Sequence, residues 1–393
     1  MELKRQVIYL DNNSTTKIDP RVLERMMPYL TDEYANASST HVFGTGANDA
    51  VKTARSQVAG ILNADPHEIT FTGGATEAIN IAIKGVAESF EQRGKHIITV
   101  STEHKAVLDT CQYLEAKGFE VTYLPVQPDG LIDLEELRAR LRTDTILVSV
   151  MLVNNETGVI QPIKEIAELV HGAGALLMSD CTQAVGKIPI DVKEMGIDIL
   201  CFSGHKMHAP KGIGGLYVRQ HSSRIKLPAL FHGGGHERGT RSGTLNVPGI
   251  VALGAACQLA QKEMKTNAKT IEDLRNYLEV EILKMEGAVI NGHKEKRLYN
   301  TTNILIRGVD SDAVIMGLSN PESDSPLIAI SNGSACTSAS IDPSHVLIAM
   351  GLNETEAFCS LRFSLSKFTT KEEIDIVLKS LKVVVGSLRS MVA

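Results

Sequence analysis

Between residues 69 and 220, short apolar runs alternate with stretches whose apolar residues recur every three to four positions. The runs predict strands at 69–72, 96–100, 120–126, 145–153, 176–180, 199–203 and 215–219. The helical stretches between them cover 75–90, 105–117, 134–141 and 162–171, the last opening on a proline whose missing N–H matters little in a first turn. Such alternation implies an α/β fold, a mostly parallel central sheet with helices on both faces and right-handed crossovers.

From residue 247 the pattern changes. Helices are expected at 247–265 and 271–284, then strands at 301–306, 327–330 and 360–365, and a last helix at 371–388 opened by a capping box of Thr370 and Glu373. This reads as a smaller α+β domain to which the N-terminal segment returns: a large domain over 15–262, and a small one over 1–14 and 263–393. The polar, proline-containing stretch 319–326 reads as a surface loop. In open α/β sheets ligands sit beyond the carboxyl ends of the strands. The unusual polar clusters at 73–77, 101–104, 154–158, 180–183 and 203–206 all fall at such ends, so they are expected to converge on one rim.

The length of 393 residues suffices for two domains with their own cores. Hydrophobic residues at 43% and charged residues at 22% are ordinary for a soluble globular enzyme. A net charge of -6 gives no electrostatic reason to bind nucleic acid or an anionic membrane directly. No apolar run approaches the roughly 18–20 residues of a membrane span. The opening MELKRQVIYLDNNSTT lacks the apolar stretch of a secretory signal, so a cytoplasmic location is expected. Six cysteines (Cys111, Cys181, Cys201, Cys257, Cys336, Cys359) form no C-x-x-C pair, which argues against structural zinc and against a disulfide framework.

Six places carry candidate chemistry. In Thr72-Gly73-Gly74-Ala75-Thr76-Glu77, two glycines after a strand and a hydroxyl entering a helix suit an anion such as phosphate, and equally an ordinary strand-to-helix turn. Ser203-Gly204-His205-Lys206 delivers a lysine at a strand end, where a lowered pKa would let it form a Schiff base while Ser203 and His205 hold a phosphate; a solvated loop lysine is the bland alternative. Asp180 ends the apolar run LLMSD, as a partner for a protonated pyridine nitrogen or as a helix N-cap, and Gln183 lies in reach of a ring oxygen. His104 suits stacking on a flat ring and proton transfer, or a purely structural place. Arg362 is a lone cation in an apolar strand, fit to clamp a carboxylate or to complete an ion pair. Cys336, in SNGSACTSAS, has small polar neighbours that suit an accessible nucleophile; the other cysteines sit in apolar patterns and read as core, with Cys181 beside the Asp180 site.

Together the segments YLDNNSTT (9–16), TGGATEAIN, STEHKAV, NNETG, SDCTQAVGK, SGHKMHAPKGIGG, RSGTLN and GSACTSAS resemble the cysteine desulfurases of the NifS/IscS type, fold-type-I (aspartate aminotransferase-like) enzymes that use pyridoxal 5'-phosphate. The resemblance covers nearly the whole chain. It implies that Lys206 carries the cofactor and shuttles protons, Asp180 pairs with the ring nitrogen, Gln183 contacts the ring oxygen and His104 stacks on the ring. Gly74, Ala75, Thr76, Ser203 and His205 would hold the phosphate, with Thr244 reaching in from the second subunit of a homodimer. Asn13, Asn155 and Arg362 would hold the substrate, L-cysteine.

The resemblance also implies the reaction: the Cys336 thiolate attacks the substrate sulfur, leaving alanine and a persulfide for an acceptor protein. Iron–sulfur assembly, tRNA or cofactor thiolation and DNA phosphorothioation all begin this way, and selenocysteine fits the same chemistry. The GSACTS context resembles the long-loop group. Ala37, Asn332 and Cys181 depart from the usual Pro, Ser and Ala, and the chain ends soon after its last helix, which speaks against docking to the standard iron–sulfur scaffold. An aminotransferase or β-lyase would keep Lys206 and Asp180 without needing Cys336, and an inactive sulfur carrier would need none of the set.

Overall fold

The computed structural model describes residues 6–220, 225–322, 325–333 and 342–392. In chain order its strands are β1 (Val7–Tyr9), β2 (Ile69–Thr72), β3 (His96–Val100), β4 (Glu120–Leu124), β5 (Thr145–Ser149), β6 (Leu176–Asp180), β7 (Ile199–Ser203), β8 (Gly214–Val218), β9 (Ala288–Asn291), β10 (Thr301–Ile306), β11 (Leu327–Ala329) and β12 (Ser360–Ser364). Seven of them form the central sheet in the order β2-β8-β7-β6-β5-β3-β4. The run from β7 to β4 is parallel, and β8 pairs antiparallel with both β7 and β2. Two antiparallel steps cancel, so β2 points the same way as the parallel strands. The carboxyl ends of β2, β3, β5, β6 and β7 therefore share one rim with the amino end of β8.

Burial on both faces explains why these strands read as unbroken apolar runs. Alternate residues serve opposite sides. Ile98, Val148, Leu177 and Leu200 join one core with helices Val42–Leu62 and Ile163–Gly172, while Ile97, Leu147, Met178 and Ile199 join another beneath helices Ala75–Phe90 and Lys105–Glu115. Strands β4 and β5 stop earlier than their apolar runs. Beyond them Val126 and Val153 turn aside to pair with Ile132 and Ile160 in isolated bridges.

A third core surrounds β10, β12 and helix Lys371–Val392, and takes in Ile8 and Leu10 from the N-terminal segment. There β1 runs parallel to β11, and Asp11 bridges to Ser364. The Thr370–Glu373 capping box forms as expected, with reciprocal bonds of 3.0 and 3.2 Å. The two helices expected at 247–265 and 271–284 are one helix, Val247–Ile282. The intervening Thr-Asn-Ala-Lys-Thr holds neither glycine nor proline, so nothing interrupts it. The expected domain boundary at 262/263 falls inside this helix. Its start packs in the first core and Ile271, Leu278 and Ile282 pack in the third. No helix among the described residues is long and apolar enough to cross a membrane.

Candidate active site

The shared rim opens into a cavity of about 570 Å³. On one wall, helix Ala75–Phe90 begins at Gly74 with no side-chain cap, so its first N–H groups and its dipole face the cavity. Gly74 has φ +154°, a value side chains rarely adopt, and a Cβ there would lie 3.5 Å from Ser203 Oγ across the rim. Behind it Gly214 approaches so closely that a Cβ would stand 2.7 Å from Gly74 Cα. Ala75, Thr76, Ser203 and His205 complete this end. His205 shares a 3.1 Å bond between Nδ1 and Thr15 Oγ1, and burial, then the charges of Lys206 and Lys211, hold its pKa down to about 4. The imidazole is therefore neutral at pH 7.

Asp180 ends β6, 4% exposed. Its Oδ1 accepts from the Thr182 N–H at 2.9 Å, and Oδ2 takes no hydrogen bond from any described residue. Asp180 thus caps a turn with one oxygen and lines the cavity. His104 does the same. Its Nδ1 accepts from Ala106 N at 3.1 Å to cap helix Lys105–Glu115, which leaves the proton of the neutral ring on Nε2. Deeper, Glu103 Oε1 accepts from Met151 N at 2.5 Å, and burial, then nearby Asp180, push its carboxyl pKa well up.

The N-terminal segment closes the site. Asn13 Nδ2 donates to the Asn155 carbonyl (3.1 Å) and Thr301 Oγ1 (2.9 Å), and its backbone N–H to Ser364 Oγ (2.9 Å). The Asn13 carbonyl accepts from Gln183 Nε2 at 2.8 Å and from Lys206 Nζ at 2.6 Å, and Lys206 also donates to the Ser14 carbonyl at 2.5 Å. Arg362, in β12, is 2% exposed and reaches across to Asp11 Oδ1 (2.7 Å), Ser14 Oγ (2.8 Å) and the Asn155 carbonyl (3.0 Å).

Of the expected site residues, Asn13, Gly74, Ala75, Thr76, His104, Asn155, Asp180, Gln183, Ser203, His205, Lys206 and Arg362 all line this one cavity. Thr244 is exposed and does not line it. Cys336 lies outside the described residues. Cys111, Cys181, Cys201 and Cys257 are buried as expected, and burial raises the thiol pKa of each, to about 12 for Cys111 and Cys257. Cys359, read as core, is only half-buried because it caps helix Glu354–Phe358 at the edge of β12. The sequence reading missed Ser14, Thr182 and Lys211 in the lining. Each lies inside a segment already quoted, YLDNNSTT, SDCTQAVGK or SGHKMHAPKGIGG, and membership of that segment was the available signal.

The donor set fits pyridoxal phosphate on the structure's own terms. Thr182 Oγ1 and Arg362 Nε are buried atoms of cavity-lining residues with no hydrogen-bond partner among the described residues, a condition that needs an explanation in a native fold. A glycine-lined helix N-terminus at one end, a carboxylate in the floor and a lysine between them match a phosphate, a ring nitrogen and an aldehyde respectively.

The family model for class-V aminotransferases matches residues 8–377. The cysteine desulfurase IscS of Escherichia coli O139:H28 (strain E24377A / ETEC) is 50% identical over 387 residues, 98% of this chain and 94% of that protein. Among solved structures, a NifS-like protein superposes with a TM-score of 0.90 at 40% identity, covering 97% of this chain and 99% of its own. SspA, solved in complex with cysteine, superposes at 0.79 with 38% identity, covering 92% and 100%. The chain belongs to the class-V aminotransferase family, fold-type-I enzymes that depend on pyridoxal phosphate. Within that family it falls among the cysteine desulfurases.

Proposed function

We infer that this enzyme removes sulfur from L-cysteine, giving L-alanine and a persulfide on Cys336. The observation that carries the reading is the convergence of Lys206, Asp180, Gln183, His104 and Arg362 on one cavity, with an anion cradle at Gly74–Thr76. Pyridoxal phosphate, when bound, supplies the electron sink that weakens bonds next to the substrate nitrogen. Thr76, Ser203, His205 and the N–H groups around Gly74 and Ala75 hold its phosphate. Asp180 keeps its ring nitrogen protonated, Gln183 donates to its ring oxygen and His104 covers its face. Arg362 and Asn155 hold the substrate carboxylate, with Asn13 shaping the same wall. Lys206 Nζ moves the protons.

In the sulfur step the Cys336 thiolate attacks the substrate sulfur. An S–S bond forms, the C–S bond breaks and its electron pair stays with the carbon, which takes a proton to become the methyl of alanine. The four buried cysteines support Cys336 as nucleophile, because a raised thiol pKa and no access to the cavity deny them that part.

The enzyme works in the cytoplasm as a homodimer and passes its sulfur to an acceptor protein. Exposed Leu23, Met27, Leu30, Tyr34, Val42 and Phe43 supply apolar surface for a second copy, and the exposure of Thr244 supports its serving the partner's site. The test gives purified protein L-cysteine with a thiol reductant and quantifies alanine and sulfide, for wild type and Cys336→Ser. Equal amounts of both products, lost in Cys336→Ser while its yellow colour remains, are expected. A yellow wild-type protein that makes no alanine would sink the reading.

A further inference from the structure

Lys187 belongs to none of the roles above, yet it is an ionisable side chain, 8% exposed and next to the site. It follows a turn locked by bonds from Ala184 N and Val185 N to the Cys181 carbonyl, and from Lys187 N to the Ala184 carbonyl, all 2.9 Å. The turn places Lys187 Nζ 2.6 Å from Gln183 Oε1. Gln183, itself 3% exposed, donates through Nε2 to the Asn13 carbonyl that also receives Lys206 Nζ.

The two partners of the Gln183 amide have opposite hydrogen-bonding character. In its ammonium form Lys187 has only donors, so it donates to the oxygen end alone; a carbonyl has only lone pairs, so it requires the nitrogen end. A flipped amide would set N–H against N–H and oxygen against oxygen, both buried. Lacking either partner, the two orientations would differ little. We propose that Lys187 is a positioning residue of the cofactor site: it fixes the Gln183 amide with its NH₂ turned toward Asn13 and the cavity, so that one hydrogen binds Asn13 and the second is presented to the cofactor's ring oxygen.

Burial of a lysine for this purpose is tolerated because Lys187 also borders a small cavity of about 50 Å³ whose mixed lining includes Asn12, Thr16, Asn300 and Lys206, large enough for a water to serve its remaining N–H groups. Its ammonium is still strained. Burial, then the charges of Lys206 and Arg362, bring its pKa down to about 7. A lysine kept at that disadvantage, rather than replaced by an apolar side chain of similar length, has a specific partner to serve.

The inference rests on the reading of the cavity as the pyridoxal-phosphate site, and the test separates the two. Apo-protein is titrated with pyridoxal phosphate, and the visible spectrum of the loaded protein recorded, for wild type, Lys187→Met, Lys187→Arg, Gln183→Ala and the double variant. Lys187→Met is expected to weaken cofactor binding roughly tenfold, the loss of one charge-assisted hydrogen bond, and to move the absorption maximum in the direction Gln183→Ala moves it. Lys187→Arg keeps a donor and recovers most of both. In the double variant Lys187→Met adds nothing to Gln183→Ala, because the two act through one amide. Wild-type affinity and spectrum in Lys187→Met, alongside a clear effect of Gln183→Ala, overturn the inference alone; so does full additivity. No effect of Gln183→Ala overturns the cavity reading and the inference with it. Should Lys187→Met fail to fold, Lys187→Gln is read against the same outcomes.

Discussion

Arg362→Lys keeps the charge and removes the fork, and its effect can be worked from the contacts. The Arg362 Nη2 serves Asp11 and Ser14, Nη1 serves the Asn155 carbonyl, and buried Nε has no partner among the described residues. Of five N–H donors, three are spent on holding the arginine and two remain for a ligand. They lie on different edges of the guanidinium, so a carboxylate arriving in the cavity takes one of them. Lysine has three donors on one point, so serving Asp11, Ser14 and the Asn155 carbonyl leaves none for the substrate. The loss is one charge-assisted hydrogen bond, about 1.5–3 kcal/mol, which corresponds to roughly a 10- to 150-fold fall in kcat/KM. Because the carboxylate takes no part in the bond changes, the fall should appear in KM, with kcat within a few-fold of wild type. Initial rates of alanine formation across a range of cysteine concentrations measure it, with the visible spectrum confirming equal cofactor content. A KM within twofold of wild type would show that Arg362 completes an ion pair with Asp11 and does not bind substrate.

Three other outcomes follow from the geometry. Gly214→Ala places a Cβ 2.6 Å from the Phe202 carbonyl and 2.7 Å from Gly74 Cα, so it should displace the phosphate cradle; titration of the apo-protein should give cofactor binding at least about tenfold weaker, with overpacking also lowering the melting temperature. Burial holds His208 down to a pKa of about 4, against an ordinary value of about 6.5, so between those values the unfolded chain binds the extra proton and stability falls as the pH drops; His208→Gln should lose less melting temperature from pH 6.5 to 4 than wild type, and equal slopes would refute the assignment. Gly333, at φ +93°, would carry a Cβ 2.6 Å from Glu156 Oε2, the same oxygen that accepts from Ser344 Oγ at 2.5 Å. Gly333 and Ser344 flank the segment bearing Cys336, so Gly333→Ala should slow alanine formation several-fold with the cofactor spectrum unchanged, and a wild-type rate would contradict a positioning part for Glu156.

The legible half of this site is the half built by the sheet. A parallel strand buried on both faces announces its carboxyl end by the residue that breaks its apolar run, which is why Asp180 after Leu-Leu-Met-Ser and Lys206 after Ile-Leu-Cys-Phe-Ser stood out. Arg362 stood out for the same reason, as one cation in a strand of which every residue is buried. Helix Val42–Leu62 did not, because its inner face is largely alanine and valine; that face suits a close crossing, in which a Cβ on Gly254 would meet Ala54 Cα at 2.7 Å, but gives a faint period. Nor did the service of Asn13, whose side chain and backbone meet Asn155, Gln183, Lys206, Thr301 and Ser364 from up to 351 residues away.

Only the family resemblance had brought Asn13 to notice, and Lys187 stood in the quoted segment SDCTQAVGK without a role. The reason is physical. A strand end is declared by its own neighbours, whereas Asn13 and Lys187 are defined by what other segments leave unsatisfied: a lysine and an amide needing an acceptor in one case, a buried amide oxygen needing a donor in the other. Such residues place the chemistry without performing it. Their contacts are therefore where a substitution should change affinity and spectrum before it changes the bonds made and broken, which is the order the Lys187 and Arg362 variants are designed to read.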